Sequence, residues 1–254
     1  MRAAQVLWKN GTSKAVLMKG LLSAAKNSAA APEANTQWFG PSTKFLVYRT
    51  YNPSLGKDDF QSLVSMPNDP VKQRYLTNSF DVFRYRDPQY FTFLDRYILK
   101  FSSSHILKDY LAASRMGFLD DRTVKFSAKD MDSLQDSYAT YYRNLLNASK
   151  SGAAYKNEVH SPVPRDMSVN WSRLQRIENK SLLVWNLPEQ WDHLTVYRKF
   201  WWYDIHHCFP LLVNRERNTS LTFMYFNNVR DACLFKNNFH GALLMENRLL
   251  VEKL

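Results

Sequence analysis

The sequence predicts an α+β chain made of two units, each running strand–helix–strand–strand–helix–strand. Three observations carry this. The runs Leu182–Leu187 (LLVWNL) and Thr219–Phe226 (TSLTFMYF) have strand length and residue types that suit a pleated surface. Helix-period stretches and turn residues separate them from further strand candidates at the spacing of a split βαβ unit. A similar succession recurs between Lys44 and Ser127. The expected architecture is therefore two ferredoxin-like domains, 44–127 and 177–254, joined by a helix and linker over 128–176.

The first thirty or so residues read as an address. Arg2, Lys9, Lys14, Lys19 and Lys26 meet no acid until Glu33, and short apolar clusters alternate with Ala and Ser. This pattern predicts a cleavable mitochondrial transit peptide over residues 1–32. No later stretch approaches the roughly 18 apolar residues that a membrane span needs.

In the first unit, Phe45–Thr50 is a strand candidate and Lys57–Val64 a short helix. Phe80–Arg86, Tyr90–Phe93 and Arg96–Phe101 supply the middle strands. Ser104–Arg115 places Ile106, Leu107, Tyr110 and Leu111 at helical spacing and stops at Gly117; Thr123–Ser127 closes the set. Alternation sends Arg96, Ile98 and Lys100 to one sheet face. With Arg49, these cations form either a phosphate-binding track or an ordinary charged surface.

Asp130–Asn147 then aligns Met131, Leu134, Tyr138, Tyr141, Leu145 and Leu146 on one helical stripe, with Ser127 as the expected N-cap. Such a stripe must dock, on one of the sheets or on a partner protein. Ser149–Pro164, polar and carrying Gly152, Pro162 and Pro164, reads as a linker or exposed loop.

The second unit begins with Leu182–Leu187 and continues with a helix over Asp192–Tyr203 and a strand over Phe209–Arg215. Thr219–Phe226, a helix over Val229–His240 and a strand over Arg248–Lys253 complete it. Gly241 suits the positive φ of a helix C-cap. These positions resemble the RNA-recognition (RRM) family: Leu182–Leu187 matches its hexamer motif and Thr219–Phe226 its octamer motif, with Ala232, Phe239, Gly241 and Val251 at the expected intervals. The family stacks bases on three rings, but this chain has Leu183 and Leu221 at two of those positions and keeps only Phe223. Alternation places Trp185 and Tyr225 on the same face as Phe223. They either stack bases or are covered by a neighbouring segment.

A formal charge of +11 favours an acidic partner, nucleic acid or an anionic membrane surface. No glycine-rich phosphate loop, GxSxG, HExxH or acidic metal pair occurs, and seven glycines leave little room for a nucleotide cradle. His206–His207–Cys208 has no downstream ligands for a metal site, and Cys208 and Cys233 read as plain thiols. The sequence thus predicts a binding protein without catalytic residue, metal or cofactor. Phe200–Tyr203 (FWWY) puts four rings at the expected helix end, so that one or more of Trp201, Trp202 and Tyr203 lies exposed or against another surface. Domain packing and partner binding both account for them.

Longer runs sharpen the resemblance. YRTYNPSLGKDDF (Tyr48–Phe60), RDPQYFTFLDRY (Arg86–Tyr97), IENKSLLVWNLP (Ile177–Pro188), FWWYDI (Phe200–Ile205) and NNFHGAL (Asn237–Leu243) are similar to a yeast family of mitochondrial translational activators. That family acts on the message for cytochrome c oxidase subunit III. The resemblance implies a protein at the matrix face of the inner membrane that works with other activators. Together they bring the 5′ leader of that message to the mitochondrial ribosome. It also implies assistance in excising a group I intron from the subunit I transcript. On this reading Phe223, Trp185 and Tyr225 stack leader RNA, while Lys180, Arg215, Arg217, Arg248 and Lys253 neutralise phosphates. Arg49, Arg96 and Lys100 extend the track. The alternative is a protein–protein adaptor whose RRM folds tether other activators to the membrane or ribosome, with Trp201, Trp202 and Tyr203 as the docking cluster.

Overall fold

Alternation in FLVYR sets the frame of the first unit: Leu46 and Tyr48 point to one side of the sheet, Phe45 and Val47 to the other, and all four are buried. The structure, a computed structural model, describes residues 43–254 except 66–67, 165–166, 217–218 and 246. The expected transit peptide and Arg217 lie outside the described residues.

Strands β1 (Phe45–Arg49), β2 (Phe80–Arg86), β3 (Phe93–Phe101) and β6 (Phe126–Lys129) form an antiparallel sheet in the order β2–β3–β1–β6. Helices α1 (Lys57–Ser62) and α3 (Ser104–Ala113) pack on one face, over Leu46, Phe60, Leu76, Tyr97, Leu99 and Leu107. Helix α2 (Pro70–Asn78) was not legible. Pro70 opens it, and the Asp69 carboxylate accepts the Lys72 amide at its N-terminus. The closing strand starts three residues later than expected. Residues before it form a small hairpin, β4 (Phe118–Leu119) and β5 (Arg122–Thr123), turned by Asp120 and Asp121 at φ 51° and 59°.

The second unit repeats the topology. Strands β7 (Ser181–Trp185), β8 (Ile205–Asn214), β9 (Thr219–Phe226) and β12 (Leu250–Lys253) lie in the order β12–β7–β9–β8. Both orders are those of a split βαβ, RRM-type sheet, so the ferredoxin-like fold holds for both units. Strand β8 begins at Ile205, four residues before the expected start. Helices α7 (His193–Lys199) and α8 (Val229–Phe239) cover one face; a short ladder, β10 (Leu243–Leu244) with β11 (Asn247–Arg248), precedes β12. Gly241, at φ 83°, ends α8 as expected. Helix α7 stops before the FWWY run. Phe200 is its C-cap, and Trp201 to Tyr203 form a turn.

The connecting segment departs furthest from expectation. Helix α4 (Met131–Lys150) is capped at Asp130, because Ser127 is occupied in strand β6. The expected linker contains α5 (Gly152–Glu158), and α6 (Trp171–Glu178) follows. A Cβ on Gly152 would lie 2.8 Å from the Phe209 ring, so glycine is what lets α5 sit against the second sheet.

These helices fill the space between the two sheets. One continuous core joins Phe45, Val47, Phe83 and Ile98 of the first sheet to Tyr138, Tyr141, Leu145, Trp171 and Leu174 of the helices. It continues into Leu183, Phe209, Leu221 and Phe223 of the second sheet. The stripe on α4 therefore docks within the chain, on both sheets at once.

Candidate nucleic-acid interface

The alternation expected for the second sheet is observed: Leu183, Trp185, Phe223 and Tyr225 share one face. That face is not open. Phe91, in the β2–β3 loop of the first unit at φ 60°, lies 5.6 Å from the Phe223 ring. Phe209 packs on the same ring at 5.4 Å, and Phe223 has no exposed surface (0%). This corrects the expectation that Phe223 stacks bases. The apolar surface of Leu183, Leu221 and Phe223 is satisfied by the connecting helices and the Phe91 loop, which leaves no room for a base.

The loop is pinned by its backbone. Asn144 donates to the Pro88 carbonyl (2.8 Å), Tyr155 to that of Gln89, and Arg86 to that of Phe91 (2.8 Å). Arg86 is the keystone. Its side chain is fully buried, forms an ion pair with Glu252 of β12 (2.8 Å) and donates to the Lys253 carbonyl (2.9 Å). Arg84 adds a bond to the same carbonyl (3.1 Å). Burial opposes the Arg86 charge, yet Tyr141, Glu252 and Glu178 around it raise its pKa above the ordinary arginine value. Burial also pushes the Glu178 carboxyl up, against the pull of Arg86 and of the Tyr141 hydroxyl, which donates to it (2.7 Å). In the fold Arg84 and Arg86 join the two units.

The remaining predicted RNA contacts scatter. Trp185 is half-buried at one rim of the second sheet, beside Lys236, His240 and Glu252. Arg215 is exposed and engaged by Glu189 (2.7 Å). Arg248 is exposed on the β10–β11 ladder. Lys253 is half-buried, its carbonyl taken by the two arginines. On the first unit, Arg49 is exposed beside Asp95, Asp120 and Arg122. Arg96 pairs with Asp95 (2.7 Å) and lies over the Tyr85 ring (4.6 Å). Lys100 is half-buried between Phe45 and Asp81 in register.

Lys180 and Tyr225 are brought together. They line a hollow with Arg173, Arg176, Asn179 and Val229. The two arginines were missed because they precede the recognised motifs. Their signal was the spacing WSRLQRI, which buries Trp171, Leu174 and Ile177 and turns the arginines outward. Burial raises the Tyr225 phenol and the nearby Arg173 charge lowers it, with a net upward shift that keeps the hydroxyl protonated at neutral pH.

The FWWY run divides. Tyr203 is buried against Phe235 (5.2 Å) and accepts from Asn238 (2.7 Å), which corrects its assignment to partner binding. Trp201 and Trp202 are exposed at 76% and 54%. The Cys208 thiol is buried and pushed up to about 12, so it holds its proton at neutral pH.

Residues 42–152 match the family model described as the protein PET54 N-terminal domain. The chain is 34% identical over 220 residues to Protein PET54 of Saccharomyces cerevisiae, covering 82% of this chain and 74% of that one. Protein PET54 of Saccharomyces bayanus is 31% identical over 213 residues, covering 79% and 72%. Among solved structures, the RRM3 domain of Mip6 covers 30% of this chain and is itself covered to 94%, at TM-score 0.27 and 17% identity. A similarity that weak carries no argument, and the fold assignment stands on the strand orders. The two curated relatives, alike over most of both chains, decide the membership: the chain belongs to the PET54 family.

Proposed function

We propose that this chain is a non-catalytic RNA-binding factor that promotes mitochondrial translation of the message for cytochrome c oxidase subunit III through its 5′ leader. The family resemblance and two RRM-type sheets support the reading. The observation that carries it is a half-exposed ring, Tyr225, set among three cations at the rim of the second sheet, in a chain of net charge +11. Sheet-centre stacking is replaced by contact at the rims. The same resemblance supports work in the matrix at the inner-membrane surface, with other activators of the message and the ribosome. It likewise supports help in excising a group I intron from the subunit I transcript. The test is binding of the full chain to the leader and to a scrambled RNA across a salt series. Preference for the leader, with a log–log slope of about −0.7 per phosphate contact, is expected. Equal, steeply salt-dependent binding to both would overturn direct reading of the leader.

A second reading has its own observation. Aliphatic Leu183 and Leu221 stand where the RRM family stacks bases, and Trp201 with Trp202 form an exposed pair at 5.7 Å between centroids. These features support an adaptor role alongside RNA binding. Trp201→Ala/Trp202→Ala is expected to keep its fold within about 0.5 kcal/mol per site, as exposed substitutions do. It is expected to lose capture of the partner activators; undiminished capture would remove the pair as a docking site.

A further inference from the structure

Helix α6 is seated by both units. Trp171 packs on Phe45 (5.4 Å) and Phe83 (4.8 Å) of the first sheet and on Tyr138 of α4 (5.1 Å). Leu174 and Ile177 continue the buried stripe. With that stripe fixed, Arg173 and Arg176, three residues apart, emerge as neighbours on the outer side. There they meet Lys180 and Tyr225. Among the described residues, no carboxylate lines this hollow. Four other hollows on the described surface each hold at least one: Glu189, Glu178, Glu252 and Asp120 are examples.

Three cations without an acid repel one another and attract an anion. The Tyr225 ring beside them, half-buried with His206 and His207 packed on it at 5.8 and 5.7 Å, keeps an exposed part for a planar partner. An isolated phosphate would use the charges and ignore the ring. A nucleotide with its phosphate satisfies both, provided that its base is unpaired and free to stack. Lys180 gives one proton to the Asn227 carbonyl (2.7 Å) and keeps two for a ligand.

We propose, on the RNA-binding reading above, that this hollow is where the chain holds single-stranded RNA: Arg173, Arg176 and Lys180 neutralise backbone phosphates, and a base stacks on the exposed part of Tyr225. The site sits at one end of the central strands of the second sheet, where Tyr225 pairs with Ser181, away from the buried centre. The first unit positions the two arginines through Trp171 without touching RNA.

The test measures binding of the full chain to a single-stranded oligouridine across a salt series. Arg173→Ala/Arg176→Ala is expected to weaken binding and to flatten the log–log salt slope by about 1.4, two contacts at roughly 0.7 each. Tyr225→Leu keeps an apolar side chain against the core and removes the ring; a loss of roughly 5- to 150-fold is expected, the range of one base stack. Lys72→Ala/Lys108→Ala, exposed on the outer helices of the first unit, serves as the charge-matched control and is expected to bind as the unaltered chain does. If the unaltered chain binds RNA and the hollow variants match it in affinity and slope, the site lies elsewhere and the RNA reading stands. If the unaltered chain shows no salt-dependent RNA binding, the RNA reading itself falls.

Discussion

Phe223→Ala will destabilise the chain by about 3–5 kcal/mol, the cost of removing a fully buried phenylalanine from a packed core. In an open RRM sheet the same change would cost little stability and much RNA affinity. Here the ring has no exposed surface and is held by Phe91 and Phe209, so the expectation reverses. Denaturant unfolding should show the loss, while RNA affinity of the folded protein, measured at low temperature, should be unchanged. Phe91→Ala should produce a similar destabilisation from the other side of the contact, and the pair should couple in a double-mutant cycle because the rings touch. A stable Phe223→Ala chain that has lost RNA binding would mean that the face opens in solution.

Arg86→Met is expected to cost about 3–5 kcal/mol, as leaving a buried carboxylate, here Glu178, short of its main counter-charge does. Methionine fills part of the space but leaves the Phe91 carbonyl without its donor, the Lys253 carbonyl with Arg84 alone, and the buried Glu178 without its main counter-charge. The pH dependence should change as well. Burial already holds the Glu178 carboxyl above its ordinary value, and losing Arg86 raises it further. A carboxyl raised in the folded state binds its proton more tightly than in the unfolded chain. Its contribution is fully present below the unfolded pKa and is lost as pH rises through the folded one. Arg86→Met should therefore lose more stability at neutral pH than at pH 4. Adding Glu178→Gln should remove that difference, because glutamine still accepts the Tyr141 hydroxyl and carries no charge.

Much of the fold was legible because its signals are local. Alternation placed Trp185 and Tyr225 on the face of Phe223, the motif spacing fixed the second sheet, and Gly241 marked a helix end. What covers the faces was not legible, since it depends on contacts across the chain. The stripe of Tyr138, Tyr141 and Leu145 required a docking surface without naming one. Helix α5, GAAYKNE, is short and polar and reads as a loop until Tyr155 is seen packed on Phe91 and Phe209. One signal was present: Leu183, Leu221 and Ile98 put aliphatic groups where a base-stacking face needs rings, which is how a sheet buried by its neighbours should look. The candidate site was half legible. Tyr225 and Lys180 belong to the recognised motifs, whereas Arg173 and Arg176 gain their place only from the seating of Trp171.

Hydrogen exchange with and without bound RNA tests the closed arrangement most directly. The account predicts added protection at Trp171–Lys180 and around Tyr225, with no change in the Asp87–Phe91 loop or at the centre of β7 and β9. Faster exchange in that loop on RNA binding, with new protection around Phe223, would contradict it: the two units would then part to admit RNA between them.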